Sequence, residues 1–166
     1  QKFAFSTENA VNERVTLVRP FAQINIGTTL ESLKMDYEVD VTASTVTVTN
    51  PARFFNVNTG VGHTLTTQAV VFGEETDPQE ALYVNNKEYE YVAMNYILVA
   101  DGTVDGASSA LAEVSFAIRE NDATVLTSYD VPNVPVQRNY RTNIVGGLLT
   151  ADGEISIIID PIFNGE

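Results

Sequence analysis

The sequence contains no cysteine and a single histidine, His63. The first absence excludes a disulfide framework and any thiolate metal site, and leaves the compartment unreadable from cysteine usage. The second excludes a multi-histidine metal site. No run of about 18 apolar residues occurs, so no transmembrane segment is expected. An initiator methionine and a secretory signal are also missing. The chain opens at Gln1, which fits a trimmed chain and a processed mature one equally. Basic residues are scarce, 9 Lys and Arg against 22 Asp and Glu. The net charge of −13 argues against nucleic acid or an anionic membrane surface as a partner. No internal repeat, low-complexity tract or linker interrupts the sequence.

What is present reads as strands. The 166 residues are 44% apolar, enough for one globular domain spanning 1–166 with a real core. The best internal boundary is the acidic stretch 73–78. Alternation of apolar side chains marks Lys2–Thr7, Leu65–Phe72, and Leu111–Arg119 with Ala112, Val114, Phe116 and Ile118 inward. In Val15–Gly27 the apolar parity changes from Val15 and Leu17 to Ala22, Ile24 and Ile26, which predicts a bulge or a kink at Arg19-Pro20. A second parity change, from Val39 and Val41 to Val46 and Val48, predicts a tight turn or a bulge near Ala43-Ser44. Phe54–Val57 is a further strand, and His63 falls in a glycine-bearing loop with Gly60 and Gly62. Tyr89–Ala100 is apolar on both parities and reads as a central strand covered on both faces. The longest pattern is Asn133–Pro161, which reads as one long hairpin with its turn at Ala151-Asp152-Gly153.

Two short helices are expected at most, a turn within Thr29–Met35 and a helix from Asp77 to about Asn85. For the second, Asp77, Pro78 and Glu80 supply a cap, a first-turn proline and a capping box. Roughly ten strands with short connections make an all-β, antiparallel β-sandwich the expected fold.

Candidate chemistry is thin. Nucleophilic catalysis needs a base beside the nucleophile, and the only histidine sits without a G-x-S-x-G elbow. No Gly-rich phosphate loop opens a helix. Glu74, Glu75 and Asp77 read most simply as a solvated loop. Asp101–Gly106 lacks the spacing and closing glutamate of a calcium loop. No enzyme activity, metal or cofactor is therefore expected, although a carboxylate pair meeting in space leaves no trace in sequence. Arg138 and Arg141 with Asn139 and Asn143 form the densest polar group. They read either as a ligand or subunit face, or as long stems covering apolar surface. Ile155, Ile157, Ile158, Ile159, Ile162 and Phe163 make a run apolar on both parities close to the last residue. Such a strand belongs to a core or is offered to a neighbour, so these six are the candidate subunit contacts.

Two segments carry more than pattern: Arg19–Thr28, RPFAQINIGT, and Asn133–Thr150, NVPVQRNYRTNIVGGLLT. Together with the ending Ile159-Asp160-Pro161-Ile162-Phe163 they resemble the fimbrillin family, the type V pilins and related surface lipoproteins of Gram-negative anaerobes. Gly146-Gly147 departs from the Gly-Asn expected there, and both residue types tolerate the left-handed region. The resemblance implies a transthyretin-like sandwich exported as a lipoprotein to the outer membrane and lying at the cell surface. It implies pilin subunits as partners in a homo- or heteropolymer, joined by strand donation. The alternative it leaves open is a module that binds glycans or a host protein without polymerising.

Overall fold

The computed structural model describes residues 19–29, 41–49, 51–63, 69–72, 81–100, 110–120, 124–150 and 153–160. Among them are eleven strands: β1 (Phe21–Thr28), β2 (Val41–Thr49), β3 (Phe54–Asn56), β4 (Val61–His63), β5 (Val70–Val71), β6 (Ala81–Val84), β7 (Lys87–Leu98), β8 (Ala110–Glu120), β9 (Val125–Val136), β10 (Arg141–Gly146) and β11 (Ile155–Asp160). No described residue is helical. A five-stranded sheet runs β11-β10-β1-β7-β6 and a four-stranded sheet β5-β2-β8-β9, with β3 and β4 forming a separate hairpin.

One apolar cluster joins the two large sheets face to face. Ala22, Ile24, Ile26, Ile97 and Ile144 come from the first sheet, and Val46, Val48, Val114, Phe116, Ile118 and Val134 from the second. Ala112, Val114, Phe116 and Ile118 are thus inward on the expected parity, and the parity change in β2 is met by a register shift between Val41 and Ala43. Among the described strands every pairing is antiparallel except one, since β1 and β10 run parallel with Ile24 opposite Thr142 and Ile26 opposite Ile144.

Several expectations are corrected. Ala81–Val84 is a strand, not the end of a helix, because Leu82 and Val84 bury on alternate positions. It turns into β7 through Asn85 and Asn86, both at positive φ (51° and 63°), the two-residue geometry that matches strand twist. The long hairpin is broken: Val134 and Val136 belong to β9 in the second sheet, and only Arg141–Gly146 pairs antiparallel with Ile155–Asp160. The chain changes sheets through Asn139, at φ 63°, where the Tyr140 amide donates back to the Gln137 carbonyl at 3.2 Å. His63 is a strand residue of β4, because Gly62 packs flat on the Val99 carbonyl, where a Cβ would stand 2.3 Å from oxygen. Of the expected strand Leu65–Phe72, Val70–Val71 is a strand, and residues 65–68 lie outside the described residues. In β7, Val92 and Ala93 are both buried, but Met94 and Tyr96 are exposed, so cover on both faces is local. Gly146, Gly147 and Gly153 are not left-handed. Gly146 is needed because a Cβ would meet the Glu154 carbonyl at 2.1 Å. Expectations for Lys2–Thr7, Val15, Leu17, residues 30–35, Val39, the boundary at 73–78, Asp101–Gly106, Ala151-Asp152 and Pro161 onward lie outside the described residues.

The buried pair in β7 has a definite cause. Ile26 faces Ala93 and Gly27 faces Tyr91, so Val92 is an extra residue that steps out of register. Its carbonyl accepts a hydrogen bond from Ser44 Oγ of the opposite sheet at 2.6 Å, inside the core. Ser44→Ala removes this donor and is expected to cost about 1–3 kcal/mol, the range for a buried acceptor left unmade. Urea unfolding checks this, with Ser156→Ala on the exposed side of β11 expected within about 0.5 kcal/mol of the parent.

Candidate functional site

The parallel β1–β10 pair lays Gln23–Thr28 directly against Arg141–Gly146, so the two segments that stand out in the sequence are neighbours in space. Even residues of β1 fill the core. Odd residues face the outside of the five-stranded sheet and are nevertheless buried: Gln23, Asn25 and, opposite it, Asn143. They form a directed chain of amides. Gln23 Nε2 donates to Asn25 Oδ1 at 2.7 Å, and Asn25 Nδ2 donates to Asn143 Oδ1 at 2.8 Å. Side by side on this face, Leu82, Val84, Tyr89 and Val145 form a second apolar cluster, joined by Tyr91 and Ile158. Gly27 is tied to that cluster by space, since a Cβ there would meet Leu82 Cδ2 at 2.8 Å.

The dense polar group divides between roles. Asn143 ends the amide chain, and Asn139 makes the sheet-changing turn, donating its amide to the Phe21 carbonyl at 2.9 Å. Arg138 is buried with its guanidinium 5.7 Å from the Phe55 ring centroid, which favours the reading of a stem covering apolar surface. Arg141 pairs with Gln23 on one side and Asp160 on the other.

The six candidate contact residues divide too. Ile155 is half-buried against the main core and Ile158 against the outer cluster. Ile157 and Ile159 lie opposite Ile144 and Thr142, on the parity that faces the core, yet each is 38% exposed. β11 is the edge strand of its sheet among the described residues. Ile162 and Phe163 lie outside those residues. No group of three or more His, Asp or Glu side chains suited to a metal occurs among the described residues.

The loop after β10 was invisible to strand periodicity. Leu148 and Leu149 turn back into the core, Tyr129 Oη donates to the Leu148 carbonyl at 2.6 Å, and the Leu148 amide donates to Thr28 Oγ1 at 3.2 Å. The amide chain had a faint signal: Gln23 and Asn25 interrupt an otherwise apolar strand on one parity.

The chain belongs to a family of unknown function, DUF6562, whose model matches residues 1–166. No curated protein matches it. Among solved structures it is similar to a candidate cell adhesion protein from Bacteroides uniformis, at 15% identity and TM-score 0.48, over 87% of this chain and 51% of that one. A second candidate cell adhesion protein, from Bacteroides ovatus, gives 14% and 0.44 over 86% and 45%. The tip fimbrial protein Mfa3 of Porphyromonas gingivalis, with a C-terminal truncation, gives 12% and 0.41 over 86% and 52%. The chain spans about half the length of each. At these values none of them fixes what this chain does.

Replacing Asn143 by Leu strands the Asn25 amide in a buried setting, so the single change is expected to cost about 1–3 kcal/mol. Asn25→Leu should behave alike. The double variant is expected to cost less than the two together, with a coupling of about 0.5–3 kcal/mol in a chemical-denaturation cycle.

Proposed function

We propose that this chain is a structural subunit of a cell-surface fimbria, joined to its neighbours by β-strand donation. The observation that carries the reading is β11. Among the described residues it is an edge strand whose Ile157 and Ile159 point to the core side and are still 38% exposed. A sandwich closed along this edge would cover them. An incoming strand could satisfy the outer backbone edge of β11 and cover both side chains, the chemistry of strand addition. An apolar edge left bare is an aggregation hazard, so a filled edge is the more economical state for a secreted subunit. The gain from the side chains alone is modest, about 1 kcal/mol each for the exposed part of an isoleucine worth roughly 1.5–3 kcal/mol when fully buried. The ladder hydrogen bonds and further donor side chains must supply the rest.

The resemblance of RPFAQINIGT and VQRNYRTNI to fimbrillins supports the same reading. Within it belong a transthyretin-like sandwich, lipoprotein export and an outer-membrane setting. No catalytic step is assigned. His63 stands exposed in β4 opposite Phe54, and His63→Ala is expected to leave assembly unchanged.

The test uses the naturally extended protein, treated with a trypsin-like protease and run in SDS without heating. Ladders of resistant multimers are expected, and Ile157→Lys with Ile159→Lys should abolish them while the circular dichroism spectrum is kept. Monomers alone after cleavage, or ladders indifferent to these substitutions, would sink strand donation at β11 and favour a binding module that does not polymerise.

A further inference from the structure

Among the described residues each large sheet ends in two outer strands, and three of those four are blunted. β5 is two residues long and β6 four. β9 is long, but it carries Pro132 and Pro135, holds Asn133 at φ 57°, and shifts register against β8. Short length, proline and bulges are the devices that stop one sheet from pairing with another. β11 has none of the last two and is the longer of the straight edges. Ile155–Asp160 contains no proline, glycine or lysine and follows β10 for six residues without a shift.

The sequence of that strand is complementary to itself. Antiparallel pairing about a two-fold axis keeps the faces of the sheet, so only residues of like parity stand opposite each other. Centred on Ile158, it sets Ile158 against Ile158 of a second copy, Ile157 against Ile159, and Ser156 against Asp160. The two isoleucines left 38% exposed then cover each other, once on each side of the axis. The one charged residue of the strand meets a hydroxyl. Both neighbouring registers are worse. Centred on Ile157, the pairing opposes Asp160 to Glu154, carboxylate to carboxylate. Centred on Ile159, it carries Ile157 past the end of the facing strand at Asp160.

We propose that β11 pairs antiparallel with β11 of a second copy, centred on Ile158, so that the two five-stranded sheets join edge to edge. The contact is closed by its symmetry and stops at two chains. One strand against one strand lies at the small end of protein interfaces, below about 1,200 Å², so the dimer is weak and exchanges. The inference rests on the same open edge as strand donation and not on donation itself. A second copy covers the edge when no donor is present, and the two compete when one is.

Sedimentation velocity of the 166-residue chain over a range of concentrations is expected to show monomer and dimer and nothing larger. Ile157→Lys with Ile159→Lys should weaken the dimer by about tenfold or more at unchanged circular dichroism. The chain has no cysteine, so introduced cysteines report the register. Ile158→Cys faces its own copy at the roughly 4.5–5.5 Å Cα separation of paired strands, and is expected to oxidise to a disulfide-linked dimer. Ser156→Cys lies four residues along from its own copy, roughly 14 Å and beyond disulfide reach. Alone it should stay unlinked, and it should cross-link when mixed with the Asp160→Cys chain. Monomers at every concentration, growth past the dimer, or cross-linking that does not distinguish these positions overturn the proposal. Ladders from the cleaved, extended protein beside a monomeric 166-residue chain remove this pairing and leave strand donation standing, and a register-specific dimer without ladders does the reverse.

Discussion

Parallel pairing of β1 with β10 is the constraint on which the rest of the architecture depends. It places β1 third in its sheet, with β7 on its other side. That position explains why β1 is buried on both faces, with isoleucines inward and amides outward. Parallel strands cannot be joined by a tight turn, so the chain between them is obliged to travel, and on its way it builds all four described strands of the opposite sheet. The amide chain from Gln23 to Asn143 then fixes the pairing. A slip of one residue would carry Asn25 into the isoleucine core and Ile24 onto the amides, an exchange penalised on both faces.

Polar groups inside the sandwich mark the places where regular pairing fails. Val92 leaves the ladder and Ser44 reaches across the core to donate a hydrogen bond to its carbonyl. The loop after β10 leaves the sheet, and Tyr129, stacked on Phe116 at 5.2 Å, bonds to the Leu148 carbonyl. Both are contacts between layers, and a hydrogen bond made in such dry surroundings has no water to compete for it. The centre of the molecule is therefore firmly specified. Among the described residues the partly exposed Ile157 and Ile159 lie on an edge strand at the margin of that frame, where a change costs the core little.

The periodicity of the sequence was a faithful guide where one strand had one wet and one dry face. Ala112, Val114, Phe116 and Ile118 are the clear example, and the parity change in β2 marked a real irregularity. It failed where tertiary context overrode a local signal. The capping residues Asp77, Pro78 and Glu80 suggested a helix, but Leu82 and Val84 had an apolar cluster to fill and the chain extended instead. Alternation ran on through Gln137–Tyr140, although a single asparagine in the left-handed region sends the chain to another sheet. Leu148 and Leu149 lay in what looked like a turn, because periodicity does not register a loop that folds inward. Of the candidate contacts, the isoleucines of β11 were legible as a two-sided apolar run. Which of them would be left uncovered was not, because that is decided by where the opposite sheet ends.

The distance along the chain between Asn25 and Asn143, 118 residues, has a consequence for how the molecule comes into being. In synthesis from the N-terminus at about 5–20 residues per second, β1 waits roughly 6–24 s for its parallel partner to exist. During that time it is an apolar strand with amides on one face and no parallel neighbour, and the first sheet is incomplete. Closing so long a loop is slow as well as late, because its entropy is lost before the contact repays it. Loop length alone therefore favours local pairs such as β8 with β9 and β10 with β11 over the parallel pair at the centre of the five-stranded sheet. A chain with that habit is well matched to a route that keeps it unfolded until its last strand has arrived.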